Sequence, residues 1–177
     1  MVLKFTPLWN DMQRVNEVMM LIKNLIDEDF INYKKASMFI AFPYCSFKCE
    51  KDCGFHCCQN SELAKARNID VSPHVLTARY IDNPVTSSIV LGGLEPFDSF
   101  EDMFIFIKHF RLHVPEDDIV IYTGYTEDEI KDKVKALSKF QNIVIKYGRF
   151  IPNDTPRFDE VLGVNLASKN QYAKRIS

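Results

Sequence analysis

Outside one short stretch, Phe42 to Asn60, the sequence has no cysteine. That absence rules out thiols scattered through the chain as ordinary packing residues. No apolar run reaches eighteen residues, so no membrane-spanning helix is expected. Net charge is only −2, which gives no general attraction to nucleic acid, and no direct nucleic-acid binding is expected. The opening residues, MVLKFTPLWNDMQR, lack the long apolar run of a secretory signal. A cytoplasmic location with reduced thiols is the expectation. There is no Ser-His-Asp arrangement, Walker loop or dinucleotide fingerprint. There is no internal repeat and no low-complexity segment either.

What is present is concentrated. The stretch FPYCSFKCEKDCGFHCCQN holds all five cysteines: Cys45, Cys49, Cys53, Cys57 and Cys58. They sit among Lys, Asp, Glu and Gly, which is not core composition. Three kinds of chemistry fit such a cluster. Disulfides are disfavoured by a reducing compartment and by the odd count. A structural zinc site could take Cys45-x3-Cys49 and Cys53-x3-Cys57, with His56 as a spare ligand. An iron–sulfur cluster suits soft thiolates. If three thiolates hold a four-iron cube, one iron keeps an open position, which is what separates a catalytic metal site from a closed structural one.

At 177 residues with 46% hydrophobic and 26% charged content, the chain has the composition of one globular domain able to bury a core. Leu8 to Asp29 shows three- and four-residue apolar spacing through Met12, Val15, Val18, Met19, Ile22, Leu25 and Ile26, which predicts an amphipathic helix covering an edge or end of the domain. Ser37–Phe42 reads as a buried first strand, and the cysteine loop follows it directly. Asn60 to Arg67 offers one or two helical turns. Ser72-Pro73 predicts an N-capped helix ending at Asn83-Pro84. Ser88–Leu91 reads as a second strand running into Gly92-Gly93-Leu94-Glu95-Pro96. A helix opens at Ser99, with Asp102 completing an imperfect capping box. Asp118–Tyr122 is a strand, Thr126 and Glu129 cap the next helix, Ile143–Tyr147 is a strand, and Val161–Leu166 is the last. Strands and helices therefore alternate at βα spacing, which predicts an α/β fold with about five or six mainly parallel strands. That is too few for a closed eight-stranded barrel. His74, His109 and His113 read as surface or packing residues.

Cys45-x3-Cys49 just after an apolar strand, with a later Cys58-Gln59-Asn60, resembles the radical S-adenosylmethionine (radical SAM) enzymes. In particular it resembles the small activating enzymes of anaerobic ribonucleotide reductase, whose signature is C-x3-C-x2-C with C-x-N at the third cysteine. Here eight residues separate Cys49 from Cys58. Cys58 is chosen as third ligand because of the C-x-N ending; Cys57, preceded by the His56 ring, is its rival, and Cys53 also has ligand spacing. Gly92-Gly93-Leu94-Glu95-Pro96 is similar to the family's GGE or GGxP turn, interrupted by Leu94. Tyr122-Thr123-Gly124-Tyr125-Thr126 is similar to its YTGYT strand end, and Ala167-Ser168-Lys169-Asn170-Gln171 to its SSNQ tail.

The resemblance implies an open partial βα barrel with an N-terminal helix, residues 1–36 forming helix and linker and residues 37–177 the core domain. It implies a [4Fe–4S] cluster on Cys45, Cys49 and Cys58, and SAM held by Gly92, Gly93, Leu94, Glu95, Thr123 and Gly124. Glu95 either pairs with the methionine ammonium or caps the turn. The implied reaction is reductive cleavage of SAM to a 5′-deoxyadenosyl radical. The implied partners are a glycyl-radical enzyme, the anaerobic ribonucleotide reductase large subunit, and a flavodoxin- or ferredoxin-type reductant.

Overall fold

The computed structural model describes residues 18–177. The chain enters through two short strands, β1 (Met20–Ile22) and β2 (Asn24–Asp29), followed by β3 (Ser37–Phe42). The cysteine region carries α1 (Lys48–Cys53) and α2 (Ser61–Lys65). Then come β4 (Ile69–Val71), α3 (Pro73–Asp82), β5 (Ser88–Gly93), a 3-10 turn (Pro96–Ser99) and α4 (Phe100–His113). Next are β6 (Asp118–Tyr122), a second 3-10 turn (Asp128–Ile130), α5 (Lys131–Leu137) and β7 (Ile143–Tyr147). Three strands close the chain: β8 (Arg157–Asp159), β9 (Val164–Leu166) and β10 (Tyr172–Arg175). No helix among the described residues is long and apolar enough to cross a membrane.

Six strands form one sheet in the order β10-β7-β6-β5-β3-β2. The four central strands are parallel, and the two edge strands run antiparallel to their neighbours. Short apolar runs of β-branched residues, such as Ile143–Tyr147, are what a strand buried on both faces requires. The helices between them make the crossovers that parallel strands need. Their starts follow the sequence: Ser72 Oγ accepts from the Val75 amide at 3.3 Å, with Pro73 opening the helix.

The two faces of the sheet differ. On one, Ile40, Phe42, Ile89, Leu91, Ile119, Ile121, Ile143 and Ile145 pack against Leu76, Tyr80, Phe106 and Phe110 of the helices. On the other, Val90, Val120 and Val144 pack against Tyr33, Leu162 and Leu166, with Phe39 partly buried beside them. The next inward-facing row along the same strands holds Ala41, Gly92, Tyr122 and Lys146. Two small residues in that row leave room for a cavity at the carboxyl ends of the strands.

The amphipathic helix expected from Leu8 to Asp29 is corrected where the structure describes it. Residues Met20–Ile22 and Asn24–Asp29 are strands; Leu8 to Glu17 lie outside the described residues. Leu25 and Ile26 would share a helical face, but as neighbours in a strand they part. Leu25 packs on the helix-side core, while Ile26 lines the cavity on the opposite face. Pairing to β3 supplies backbone partners that override the local period. Charged Asp27 and Glu28 at the outer edge of β2 discourage pairing with further strands. The last strand is shorter than expected, Val164–Leu166, and pairs with the unforeseen β8. The tail is a strand as well, β10, paired with β7. Asp102 completes no box, since Ser99 makes no side-chain cap; a 3-10 turn precedes α4 instead.

Gly93 has φ +89°, and a Cβ there would stand 2.6 Å from Ala41 Cα. Gly93→Ala is therefore expected to cost about 2–4 kcal/mol. Urea denaturation of the apoprotein measures it; a loss under about 1 kcal/mol would contradict the account.

Candidate metal centre

The cysteine loop leaves β3 at Phe42 and reaches Cys45 three residues later. Phe47, in the left-handed region at φ 51°, turns the chain into α1. Gly54, at φ 76°, stops that helix and donates to the Glu50 carbonyl at 2.8 Å. The chain then doubles back through Phe55 and His56. Glu50 holds the return: its carboxylate accepts from the Cys58 amide at 3.3 Å and meets His56 Nδ1 at 3.1 Å. The eight-residue gap is thus an out-and-back excursion that returns Cys58 to the side of Cys49.

This path divides the five thiols. Cys45, Cys49 and Cys58 line one cavity of about 480 Å³. Cys53 and Cys57 are not among its lining residues and lie together, with their sulfurs 2.7 Å apart. Backbone amides point at two of the cavity sulfurs, Phe47 N–H at Cys45 Sγ (3.2 Å) and Asn60 N–H at Cys58 Sγ (3.4 Å). Such contacts stabilise thiolate character and tune a cluster's potential. His56 turns outward, its side chain 98% exposed, and so does not act as a fourth ligand facing the cavity. Among the described residues no three side chains of His, Cys, Asp or Glu converge on a single-ion position, which a closed zinc site requires.

Burial pushes the Cys45 thiol up to about 12, against the opposing effect of the Phe47 amide, and Glu95 and Asp98 raise it further. Cys49 is raised as well, first by burial and then by its closeness to the Cys58 sulfur, against hydrogen bonds from the Glu50 amide and the Cys57 thiol. A metal that brings positive charge offsets this penalty and favours the thiolate forms.

The Gly92–Glu95 turn is tied to the loop. Asn60 Nδ2 donates to the Gly93 carbonyl at 2.7 Å, and the Glu95 amide donates to the Tyr44 carbonyl at 2.9 Å. Glu95 caps the turn. It is buried and accepts from Phe97 N (3.1 Å), Thr123 Oγ1 (2.7 Å) and Gly124 N (2.8 Å). Burial still pushes it up to about 7, against these three donors. Leu94 continues the pairing to β3 through its amide, which donates to the Phe42 carbonyl. All the residues proposed from sequence, Gly92, Gly93, Leu94, Glu95, Thr123 and Gly124, line the same cavity as the cysteine trio.

The remaining motifs brace this arrangement. Tyr125 donates to Asp98 at 2.5 Å and stands 3.2 Å from Ser46 Oγ beside Cys45. The Thr126 amide donates to Glu129 at 2.9 Å, and Glu129 in turn pairs with Lys48 and Arg149. The Arg149 guanidinium holds the Glu129 carboxyl down at about 2. In the tail, Asn170 Nδ2 and Gln171 Nε2 donate to the Arg149 and Gly148 carbonyls. Among the cavity residues that sequence reasoning missed are Arg149 and Lys146. Arg149 is engaged by Glu129 and Asp52. Lys146, 6% exposed, donates to the Gly148 carbonyl at 2.9 Å and keeps two N–H bonds free. A signal for Lys146 existed: it is the one charged residue in an otherwise apolar strand, Ile143–Tyr147.

An open α/β sheet with soft sulfur donors gathered at the carboxyl ends of its strands defines a class, the α/β domains that carry a sulfur-ligated metal centre. Comparison with protein families is more specific. Residues 34–171 match the model of the 4Fe-4S single cluster domain, and the chain belongs to that family. A 4Fe–4S cluster-binding domain is therefore present. No curated protein matches the chain.

Proposed function

We propose that this protein is a radical SAM iron–sulfur enzyme whose cluster is held by Cys45, Cys49 and Cys58. One observation carries the reading: the three thiols and the Gly92–Glu95 and Thr123–Gly124 segments line a single cavity. Its volume of about 480 Å³ falls among small-molecule cofactor sites, about 300–1,000 Å³. The matched family occurs in radical SAM-related proteins, and helices on one face with a cavity on the other support an open partial barrel. When bound by Cys45, Cys49 and Cys58 and by the Gly92–Glu95 and Thr123–Gly124 segments, cluster and SAM would supply one-electron reductive cleavage of a sulfonium and, through it, radical abstraction of a hydrogen atom.

The chain's own residues hold and shield that chemistry. Asn60 locks the cysteine loop onto the Gly93 carbonyl. Glu95 fixes the β5 and β6 ends relative to each other. Gly92 keeps its inward face clear of a Cβ that would stand 2.9 Å from the Phe39 ring. Lys146 offers its free N–H bonds to an oxygen of the bound cofactor, because Arg149 is already engaged by carboxylates. Ile26 and Ile31 line the cavity and are exposed at its rim, which suits entry of a polypeptide loop. The substrate we assign is accordingly a glycine of an anaerobic ribonucleotide reductase large subunit, with a flavodoxin- or ferredoxin-type protein as reductant.

The test is anaerobic reconstitution with iron and sulfide, then dithionite and SAM. Formation of 5′-deoxyadenosine is expected, and a glycyl radical on added reductase subunit. A loaded cluster with no cleavage of SAM would reduce the protein to a non-catalytic iron–sulfur module.

Lys146 gives a pH prediction. Burial lowers it to about 8, against the attraction of Glu95; Tyr122, with its ring centre 5.9 Å away, also faces it. The ammonium is present below about pH 8 and lost above it, so SAM affinity should fall as pH rises through that value. The unfolded chain keeps this proton to higher pH, so the charged form is what folding penalises and apoprotein stability should rise over the same range. Lys146→Met should weaken SAM binding about tenfold or more and stabilise the apoprotein by about 1–3 kcal/mol. Unchanged affinity with a flat pH profile would remove Lys146 from the site.

A further inference from the structure

The function above uses three cysteines and leaves two. Cys53 ends α1 and Cys57 lies on the returning strand of the excursion. Gly54, in the left-handed region, makes the turn between them, and a Cβ added there would meet nothing within 4 Å. The two sulfurs are 2.7 Å apart, short of a disulfide bond by less than about 1 Å. Both residues are partly exposed. Helix α1 has no buried residue, so the small closing movement disturbs no core packing. Cys53 Sγ also lies 3.1 Å from the Phe55 carbonyl, and Cys57 Sγ lies 3.6 Å from the Cys49 carbonyl. The Cys57 thiol also meets the Cys49 thiol, but neither Cys53 nor Cys57 lines the cavity.

We propose that Cys53 and Cys57 form a dithiol, separate from the cluster ligands, that closes reversibly to an intramolecular disulfide by exchange with a small-molecule disulfide. This rests on assigning Cys45, Cys49 and Cys58 to the cluster. In the first step one protein thiolate attacks the small disulfide, forming a mixed disulfide and releasing one small thiol. In the second, its neighbour displaces the other small thiol. Two electrons and two protons pass from the protein dithiol to the oxidant, which leaves as two thiols, and one sulfur–sulfur bond forms in the protein. The closed bond spans only the Gly54–His56 turn and leaves the approach of Cys58 to the cavity unchanged.

The test uses anaerobically reconstituted holoprotein titrated with oxidised glutathione. Free thiols are then alkylated, and the tryptic peptide Asp52–Lys65 is sequenced by mass spectrometry. The expected result is loss of two hydrogens located at Cys53 and Cys57, full reversal by dithiothreitol, and unchanged iron content. Cys53→Ser and Cys57→Ser should each stop ring closure and retain one glutathione on the remaining thiol. Closure that releases iron would place one of the pair on the cluster and overturn the proposal. A disulfide involving Cys45, Cys49 or Cys58, or no reaction at the pair, would overturn it too. Failure of the radical SAM reading looks different: the wild-type cluster then loads normally but does not cleave SAM, whatever the state of the dithiol.

Discussion

Alanine at Cys45, Cys49 or Cys58 abolishes cluster assembly, whereas alanine at Cys53 or Cys57 leaves it intact. A four-iron cube with one open iron has three protein bonds, and no spare thiol lines the cavity to replace a lost one. Removing a ligand should therefore take iron, sulfide and the visible charge-transfer band to background, with 5′-deoxyadenosine formation going with them. Cys57 is adjacent to Cys58 in sequence, yet it does not line the cavity, and its sulfur meets those of Cys53 and Cys49. The pair Cys57→Ala and Cys58→Ala is therefore the informative comparison. A cluster that survives Cys58→Ala and is lost in Cys57→Ala would reverse the ligand assignment.

Glu95→Ala destabilises the apoprotein by about 3 kcal/mol, as large an effect as that expected for Gly93→Ala. Its carboxylate is 5% exposed and is the acceptor for two backbone amides and one hydroxyl. Alanine leaves the Phe97 and Gly124 amides and the Thr123 hydroxyl buried without that partner, and each orphan costs about 1–3 kcal/mol before water relaxes into the gap. Glu95→Gln keeps one carbonyl acceptor and should lose about half as much. Urea denaturation under reducing conditions reads both. A loss below about 1 kcal/mol for alanine would mean that the clamp between the β5 and β6 ends is not structural.

Three of the four buried parallel strands were readable from the sequence to the residue, while Ser88–Gly93 runs two residues beyond the Ser88–Leu91 expected. Ser37–Phe42, Asp118–Tyr122 and Ile143–Tyr147 are short apolar runs bounded by turn residues, and burial on both faces leaves little freedom in their limits. The edges were not readable. Asn24–Asp29 carries spacing compatible with a helix, and its state is decided by pairing with β3, which a local pattern does not contain. Arg157–Asp159 and Tyr172–Arg175 carry charge at partly exposed positions and lack the apolar alternation that marks a strand. At the site, the C-x-N ending pointed to Cys58, and Asn60 proves to join that loop to the glycine turn. The capping contacts of Glu95 were not legible in the sequence, because a carboxylate beside a glycine turn can serve a ligand or a backbone equally well. Arg149 was hidden in a loop with no strand or helix period to set its direction.

The central claim is that one iron of the cluster stays open beside Gly92 and Gly93 for a sulfonium cofactor. Electron–nuclear double resonance on the reduced protein, with SAM carrying a labelled amino nitrogen, tests it directly. The account predicts a hyperfine coupling between that nitrogen and the cluster, lost in Cys58→Ala together with the cluster itself. An intact reduced cluster whose spectrum is indifferent to SAM would contradict it.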